Sequence, residues 1–571
     1  MYADREYLEL LLEPLRVVKE YRPKLGQTGR EGISESQSFT AVGRERWGFV
    51  GLLLGSSVLS GLAHPPLGWS WLMLIAPAPL FALTLHTRAR TGFAYGWLWS
   101  FVYYLTVGHP LLYLIRLQTG SLFLSVLGLV LVAGLSGLFG GLFGLAASQM
   151  PRNGLGVLGA AGVWAFTQYL RGLGPYAFVW GHWSVALYNT PALLQPASLV
   201  GAWGMEFLIA AWNGLLVMLW RLYRAQQFRV LAWALPTVIM GALIYLIVGT
   251  IALAQSAWRS RPSSDDFTRN RWIVLVQPNV DLARIYTPRE WATYRLQIAE
   301  QVRQAAQQPR VSYVAQAQKS PNLIVLPEVI EPFAMPDNTP AFLFWKSLAL
   351  EVQTPLLVGG YRVARAEPRQ IANTMHLFLP DGRWQYHDKV QLVPLGEHVP
   401  YRQYLPWLSI FGVVEEDMYA GRDLKPMSAG DLKIGAVICM ESTYPWIARV
   451  MANAGANLLV VGSNESWFGR TAALEQHLAF SVLRAIETRR WVVRCAPEGI
   501  SAFISPSGEI EQRAPAFEAA VLSQVVQLTA PETLFMRWGD WMVWVGVGFA
   551  LMAIGMRYLN TLTKDFGTSC R

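Results

Sequence analysis

Apolar residues follow two rhythms along this chain. Up to about residue 256 they form long runs with short polar breaks; from about 260 to 530 they form short β-prone runs among charged stretches. A helix that spans a bilayer needs ~20 mostly apolar residues. Seven runs in the first part approach this: 47–63, 70–86, 93–115, 121–150, 154–170, 200–220 and 230–254. An eighth, 538–556, lies near the far end. The second run holds Pro77 and Pro79, which membrane helices tolerate better than soluble ones. The aromatic stretch 175–196, flanked by prolines, reads as a re-entrant or interfacial piece.

The second rhythm predicts a different architecture. RWIVLVQPN, NLIVLPE, PLLVGGY, MHLFLP, LKIGAVICM, NLLVVGSN and WVVRCAP read as short buried strands, and 289–308, 443–454 and 473–489 as helices between them. Asp381-Gly382 and Ser507-Gly508 are hairpin signals. Strands and helices mixed at this length suggest a layered α/β domain.

Composition sharpens the first reading. Only 15% of the 571 residues are charged, 53% are hydrophobic and 24 are Trp. Soluble proteins carry about a quarter charged residues, so the chain reads as a membrane protein. The formal charge of +9 is explained by membrane topology without nucleic acid, because basic residues collect in cytoplasmic loops. Arg88 and Arg90, Arg152, and Arg221, Arg224 and Arg229 follow the second, fourth and sixth runs; the alternate loops carry only Arg116 and Arg171. Arg44, Arg46, Arg557 and Lys564 agree with that side being cytoplasmic. The expected division is a cytoplasmic tail (1–46), a seven-span membrane domain (47–256), an extracytoplasmic domain (257–532), and a final span with a short cytoplasmic tail (533–571). A signal-peptide reading of the first run would not move the later segments. Three cysteines make no disulfide framework, no Cys/His group has metal-ligand spacing, and no cofactor is called for.

Three strand ends carry candidate chemistry. Glu328 ends IVLPE, Lys389 lies in YHDKVQLVPLGEHVP and Cys439 ends IGAVIC. Functional side chains gather at the carboxyl ends of strands in α/β sheets. A carboxylate can take a thiol proton, an ammonium lowers a thiol pKa and stabilises an oxyanion, and a thiolate can attack an ester or amide carbonyl. Taken singly, each has an ordinary alternative: a cap, a solvated lysine, a core thiol.

LPE (Leu326–Glu328), the Lys389 segment and ICMES (Ile438–Ser442) resemble the nitrilase, or carbon–nitrogen hydrolase, superfamily. That resemblance implies an αββα sandwich with a Glu–Lys–Cys triad. HDKVQLVPLGEHVPYR, SNESWFG and the order of spans are similar to one branch, the apolipoprotein N-acyltransferases. The resemblance implies a multi-pass protein of the bacterial inner membrane. Its substrates would be a phospholipid acyl donor and, as acceptor, the α-amine of a diacylglyceryl-lipoprotein. It makes Cys439 the nucleophile, Glu328 the general base and Lys389 the oxyanion-side cation, supported by Glu397, Asn373, Glu441 and the Met440 backbone N–H. Tyr286 stands near a position often occupied by Trp in the lipid pocket, and Trp467 lies on the SNESWFG loop. Met440 replaces a usual aromatic, and Gln168 and Pro497-Glu498 also depart from the family pattern. The hydrophobic loop YLPWLSIFG (404–412) is a candidate for dipping into lipid. Two rival readings keep parts of the pattern. A membrane-anchored amidase leaves the spans without a purpose. A transporter is at odds with spans whose ionisable residues are few beyond His109 and Glu206.

Overall fold

The computed structural model describes residues 35–569 except 86, 261–268, 285, 308–319, 336–338, 368, 412–413 and 415. Cys570 and most of the expected N-terminal tail lie outside the described residues.

The first part is helical, as its apolar runs require, but it is more broken than their lengths suggest. Among the described residues four helices are long and apolar enough to cross a bilayer: Leu122–Ala147, Ala197–Arg224, Phe228–Arg259 and Trp541–Asn560. A fifth crossing is available if Ala89–Val107 and Leu111–Thr119, which meet at 65°, act as one. The break falls at Gly108-His109-Pro110, where proline removes a helix donor. The expected count of eight is therefore not reached. The second expected span is a short 3₁₀ turn, Ser70–Leu74, and a helix of seven residues, Ala78–Thr84, divided around Pro77. The described apolar part of the first is only Gly48–Leu62. The fifth is the helix Gly154–Arg171, made less apolar by Thr167, Gln168 and Arg171 in its last turns.

Small residues draw these helices together. A Cβ on Gly96 would lie 2.0 Å from the Gly140 carbonyl oxygen, and one on Gly144 2.0 Å from that of Gly92. The stretch 175–196 dives into the protein: Trp183 is fully buried and stacks on Trp164 with ring centroids 4.2 Å apart. Glu206 accepts the Trp183 backbone N–H at 2.6 Å and the Trp164 indole N–H at 2.9 Å, so its carboxylate is committed to holding this fold. The helix Ala197–Arg224 is interrupted at Gly201, whose φ of 69° suits glycine. The next N–H, of Ala202, donates to Glu487 Oε1 at 2.7 Å.

The second part is an αββα sandwich. Its strands are β1 (Asn270–Gln277), β2 (Leu323–Val325), β3 (Glu331–Ala334), β4 (Leu356–Arg365), β5 (Gln370–Phe378), β6 (Trp384–Asp388), β7 (Met427–Ala429), β8 (Leu432–Ile438), β9 (Leu458–Gly462), β10 (Trp491–Cys495), β11 (Ala502–Ile504), β12 (Ile510–Arg513) and β13 (Ala520–Gln527). One sheet runs β13-β1-β2-β4-β5-β6 with β3 against β4; the other runs β12-β11-β10-β9-β8-β7. Their central strands β1-β2-β4 and β8-β9-β10 are parallel. These strands are apolar on both faces, as parallel strands covered on both sides must be. Both hairpin signals hold: Asp381-Gly382 joins antiparallel β5 and β6, and Ser507-Gly508 joins β11 and β12. Leu275, Leu357 and Met375 of the first sheet meet Ile434, Val460 and Phe503 of the second in the inner core. Helices Pro288–Gln307 and Pro340–Val352 cover the first sheet. Helices Pro445–Asn453 and Ala473–Thr488 cover the second, and their core continues into that of the membrane helices.

Candidate active site

The residues expected to act come from different strands and converge. Cys439 is the first residue after β8 and opens a 3₁₀ turn, Cys439–Thr443. Lys389 directly follows β6, Asn373 lies within β5, and Glu328 lies three residues past β2. Sharp turning at these ends is visible in the backbone: Cys439 has φ 53° and Val329, after the glutamate, φ 52°. Such conformations cost on the order of 1–3 kcal/mol each and persist only where the surroundings enforce them.

Glu328, Lys389 and Asn373 are almost wholly buried. Lys389 Nζ lies 3.3 Å from Glu328 Oε1 and 2.8 Å from Glu397 Oε1. Asn373 Nδ2 donates to the same two carboxylates, at 2.7 and 3.0 Å. The Asn464 backbone N–H donates to Glu328 Oε2 at 2.5 Å. Three donors therefore fix the Glu328 carboxylate, and Glu397 shares the lysine with it. Glu397 is itself held by the Val393 N–H on Oε2 at 2.9 Å. Burial opposes charge on Lys389, but Glu328, Glu397 and Cys439 outweigh it and hold the ammonium well above its usual range.

Cys439 is buried, and its thiol is pushed up to about 12. Burial is the main cause and the Glu328 carboxylate adds to it; Lys389 and the Asn464 backbone N–H pull the other way. The expected lowering by Lys389 is present, but it does not win. The resting thiol keeps its proton at neutral pH, so nucleophilic attack requires a base beside it.

Glu441 ties two segments together. Its Oε1 accepts the N–H groups of Val390 and Gln391 at 2.6 and 3.0 Å, and Oε2 accepts that of Ile438 at 2.7 Å. It thereby joins the lysine loop to the turn that carries the thiol. Tyr286 and Trp467 line one cavity of about 230 Å³ together with Val329, Tyr361 and Asn464. The loop 404–411 forms a short 3₁₀ helix and leaves Tyr404 73% and Trp407 54% exposed. Cys495 is sealed between the sheets, its Sγ 3.3 Å from the Val276 carbonyl oxygen. Among the departures from the family pattern, Gln168 accepts from Tyr104 Oη and Arg171 Nε at 2.9 and 3.0 Å, inside the membrane part. The Pro497 and Glu498 carbonyls accept the N–H groups of Asn279 and Phe517, both at 2.7 Å.

Behind Cys439 lies a group that the sequence pattern did not single out. Arg494, Glu465 and His477 are fully buried. Arg494 pairs with Glu465, Glu465 Oε1 lies 2.9 Å from His477 Nδ1, and His477 Nε2 lies 3.1 Å from the Cys439 carbonyl oxygen. The available signal was Arg494, a charge within the apolar run WVVRCAP.

The two parts of the chain match two families. Residues 275–531 match the carbon-nitrogen hydrolase family, and residues 56–215 match the apolipoprotein N-acyltransferase N-terminal domain. The molecule is thus an enzyme of the carbon–nitrogen hydrolase class built onto a membrane domain. The apolipoprotein N-acyltransferase of Rhizobium etli is 30% identical over 490 residues, covering 81% of this chain and 88% of that one. That of Geobacter metallireducens is 29% identical (88% and 94% covered), and that of Gloeobacter violaceus is 29% identical (88% and 92% covered). The chain belongs to the apolipoprotein N-acyltransferase family.

Proposed function

We propose that this protein moves a fatty acyl chain from a phospholipid to the α-amine of the N-terminal diacylglyceryl-cysteine of bacterial apolipoproteins, through a thioester on Cys439. The carrying observation is the buried contact of Glu328 and Lys389, whose charges both act on Cys439, the residue that follows β8. Glu328 takes the thiol proton as sulfur attacks the ester carbonyl. The oxyanion is met by Lys389 Nζ and the Met440 backbone N–H. Glu328 returns the proton to the departing glycerol oxygen, and a lysophospholipid leaves. The lipoprotein amine then attacks the thioester and loses a proton to Glu328. The collapsing intermediate releases the amide and the thiol. Asn373 and Glu397 hold the lysine and base in register, and Glu441 holds the turn. Tyr286 and Trp467 receive the lipid at the cavity they share.

The protein is a multi-pass protein of the inner membrane with its catalytic domain outside the cytoplasm. Both substrates present their reacting groups at that interface. The exposed aromatics of 404–411 suit contact with lipid. We further infer that the short apolar segments 47–63, 70–86 and 154–170 complete eight crossings, which the alternation of arginines supports. The same reading divides the chain into 1–46, 47–256, 257–532 and 533–571.

Incubation with phospholipid carrying a radioactive acyl chain tests the reaction. Wild type and Cys495→Ala should retain label in a hydroxylamine-sensitive bond, and Cys439→Ala should retain none. Label that survives Cys439→Ala sinks the assignment.

A further inference from the structure

The helix Ala473–Thr488 touches the membrane region and the nucleophile through adjacent residues. Gln476 Oε1 accepts the Trp180 indole N–H at 2.5 Å, and its Nε2 donates to the carbonyls of Pro65 at 3.1 Å and Val107 at 3.2 Å. One side chain thus gathers three separate segments of the membrane region. The next residue, His477, is boxed by Trp180 and Phe468, with ring centroids 6.0 and 5.6 Å away. Its Nε2 lies 3.1 Å from both the Cys439 carbonyl oxygen and Ser442 Oγ.

We propose that His477 is a positioning residue for Cys439, and that the membrane region sets its place through Trp180 and Gln476. The proposal rests on Cys439 being the nucleophile. Cys439 has a left-handed backbone, and its side chain aims correctly only while both flanking peptides are pinned. Glu441 holds the N-terminal side one peptide back, at the Ile438 N–H. The C-terminal side is the Cys439 carbonyl, reached by Ser442 Oγ at 2.8 Å and by His477.

Burial and the Arg494 guanidinium hold the His477 imidazole below its usual range despite Glu465, so it is neutral at physiological pH. With the proton on Nε2 it donates to the Cys439 carbonyl, while Nδ1 accepts from Arg494 Nη2 at 2.8 Å. This is the tautomer that grips the turn: the Arg494 N–H on Nδ1 leaves the ring proton on Nε2, and the Ser442 hydroxyl keeps its own proton on the Cys439 carbonyl. The ring cannot retreat, because Glu465 is anchored by Arg494 and by the Ile500 N–H at 3.0 Å. On this account the membrane half of the protein helps to aim the thiol.

The test uses the full chain in detergent and two readouts: thioester formation from labelled phospholipid, and alkylation of Cys439 by iodoacetamide against pH. The charged groups that face the thiol, Glu328, Lys389 and Glu397, and those that face the histidine, Glu465 and Arg494, stay unchanged. Misplacement of a reacting atom by 1 Å costs on the order of 10²-fold, so His477→Ala should slow thioester formation by roughly that factor. The loosened turn admits water, so the alkylation profile should move to lower pH while Cys495 stays unlabelled. Trp180→Phe keeps the ring and removes the N–H; it should shift both readouts in the same directions by a smaller amount. His477→Gln, which restores a donor near Nε2, should recover most of the rate. Gln195→Ala cuts a contact between the two parts elsewhere, to the Ser507 carbonyl and Arg489, and should leave both readouts unchanged. Wild-type rates and profiles in Trp180→Phe and His477→Ala would overturn the inference, as would parallel labelling of Cys495. A thioester in Cys439→Ala would instead overturn the reading it rests on.

Discussion

The two halves of the sandwich have the same layers and opposite surroundings. The helix Pro288–Gln307 buries one stripe, Trp291, Ile298, Ala299, Val302 and Ala305, and turns its charges to water except Arg295, which reaches in to buried Glu331. In Ala473–Thr488 every residue but Glu475 is buried, because the sheet lies on one side and the membrane region on the other. Two of their ion pairs mark the difference: Arg303–Glu351 on the open side is largely exposed, whereas Arg484–Glu487 on the covered side is fully enclosed. The chemistry is divided the same way. The segments after strands of the open-sided sheet supply the carboxylate and the lysine, and the covered sheet supplies the thiol. The element enclosed on both sides is the one that backs the left-handed Cys439 turn.

Substitutions can break this comparison at several strengths. The largest effect is expected for Glu328→Gln, nearly isosteric and unable to take a proton. It should slow thioester formation by roughly 10²–10⁴-fold, measured in a single turnover. Lys389→Met should cost about 10²–10³-fold. It also removes the cation that favours thiolate, so the thiol, already at about 12, should rise further and the iodoacetamide profile should move to higher pH. An unmoved profile would mean that the two sheets do not meet at Cys439 as described. Glu487→Ala leaves Arg484 buried without its partner and the Ala202 N–H without its acceptor. Thermal unfolding in detergent should show a loss of about 3–5 kcal/mol. Glu351→Ala on the open side should cost under about 1 kcal/mol. Equal losses in these last two would erase the difference between the halves.

The sequence disclosed what local pattern controls. Strand ends at Glu328 and Cys439 were legible because apolar β-prone runs stop there, and both hairpins because Asp-Gly and Ser-Gly suit tight turns. The lipid-facing stretches were legible as composition but not as continuous helices. Length and hydropathy do not register that Pro77, or the Gly108-His109-Pro110 corner, divides a run. The thiol's net upward shift was not legible either. The sequence names the nearby cation, but burial is a tertiary property and here outweighs it. His477 carried no signal, since a lone polar residue in a helix reads as surface until its neighbours are known; Glu465 lay within SNESWFG, but its partners were not legible there.

The break at Gly201 has a consequence for biosynthesis. The Ala202 amide, freed by the break, has its acceptor, Glu487, 285 residues further along the chain. Synthesis runs from the N-terminus, and domains generally fold as units in that order. Glu487 meets the donor only when the completed catalytic domain settles onto the helix. Until then this donor, at the outer end of its helix, must be met by water or lipid headgroups. A chain truncated before residue 487 therefore loses a tie at the outer end of this helix as well as its enzyme.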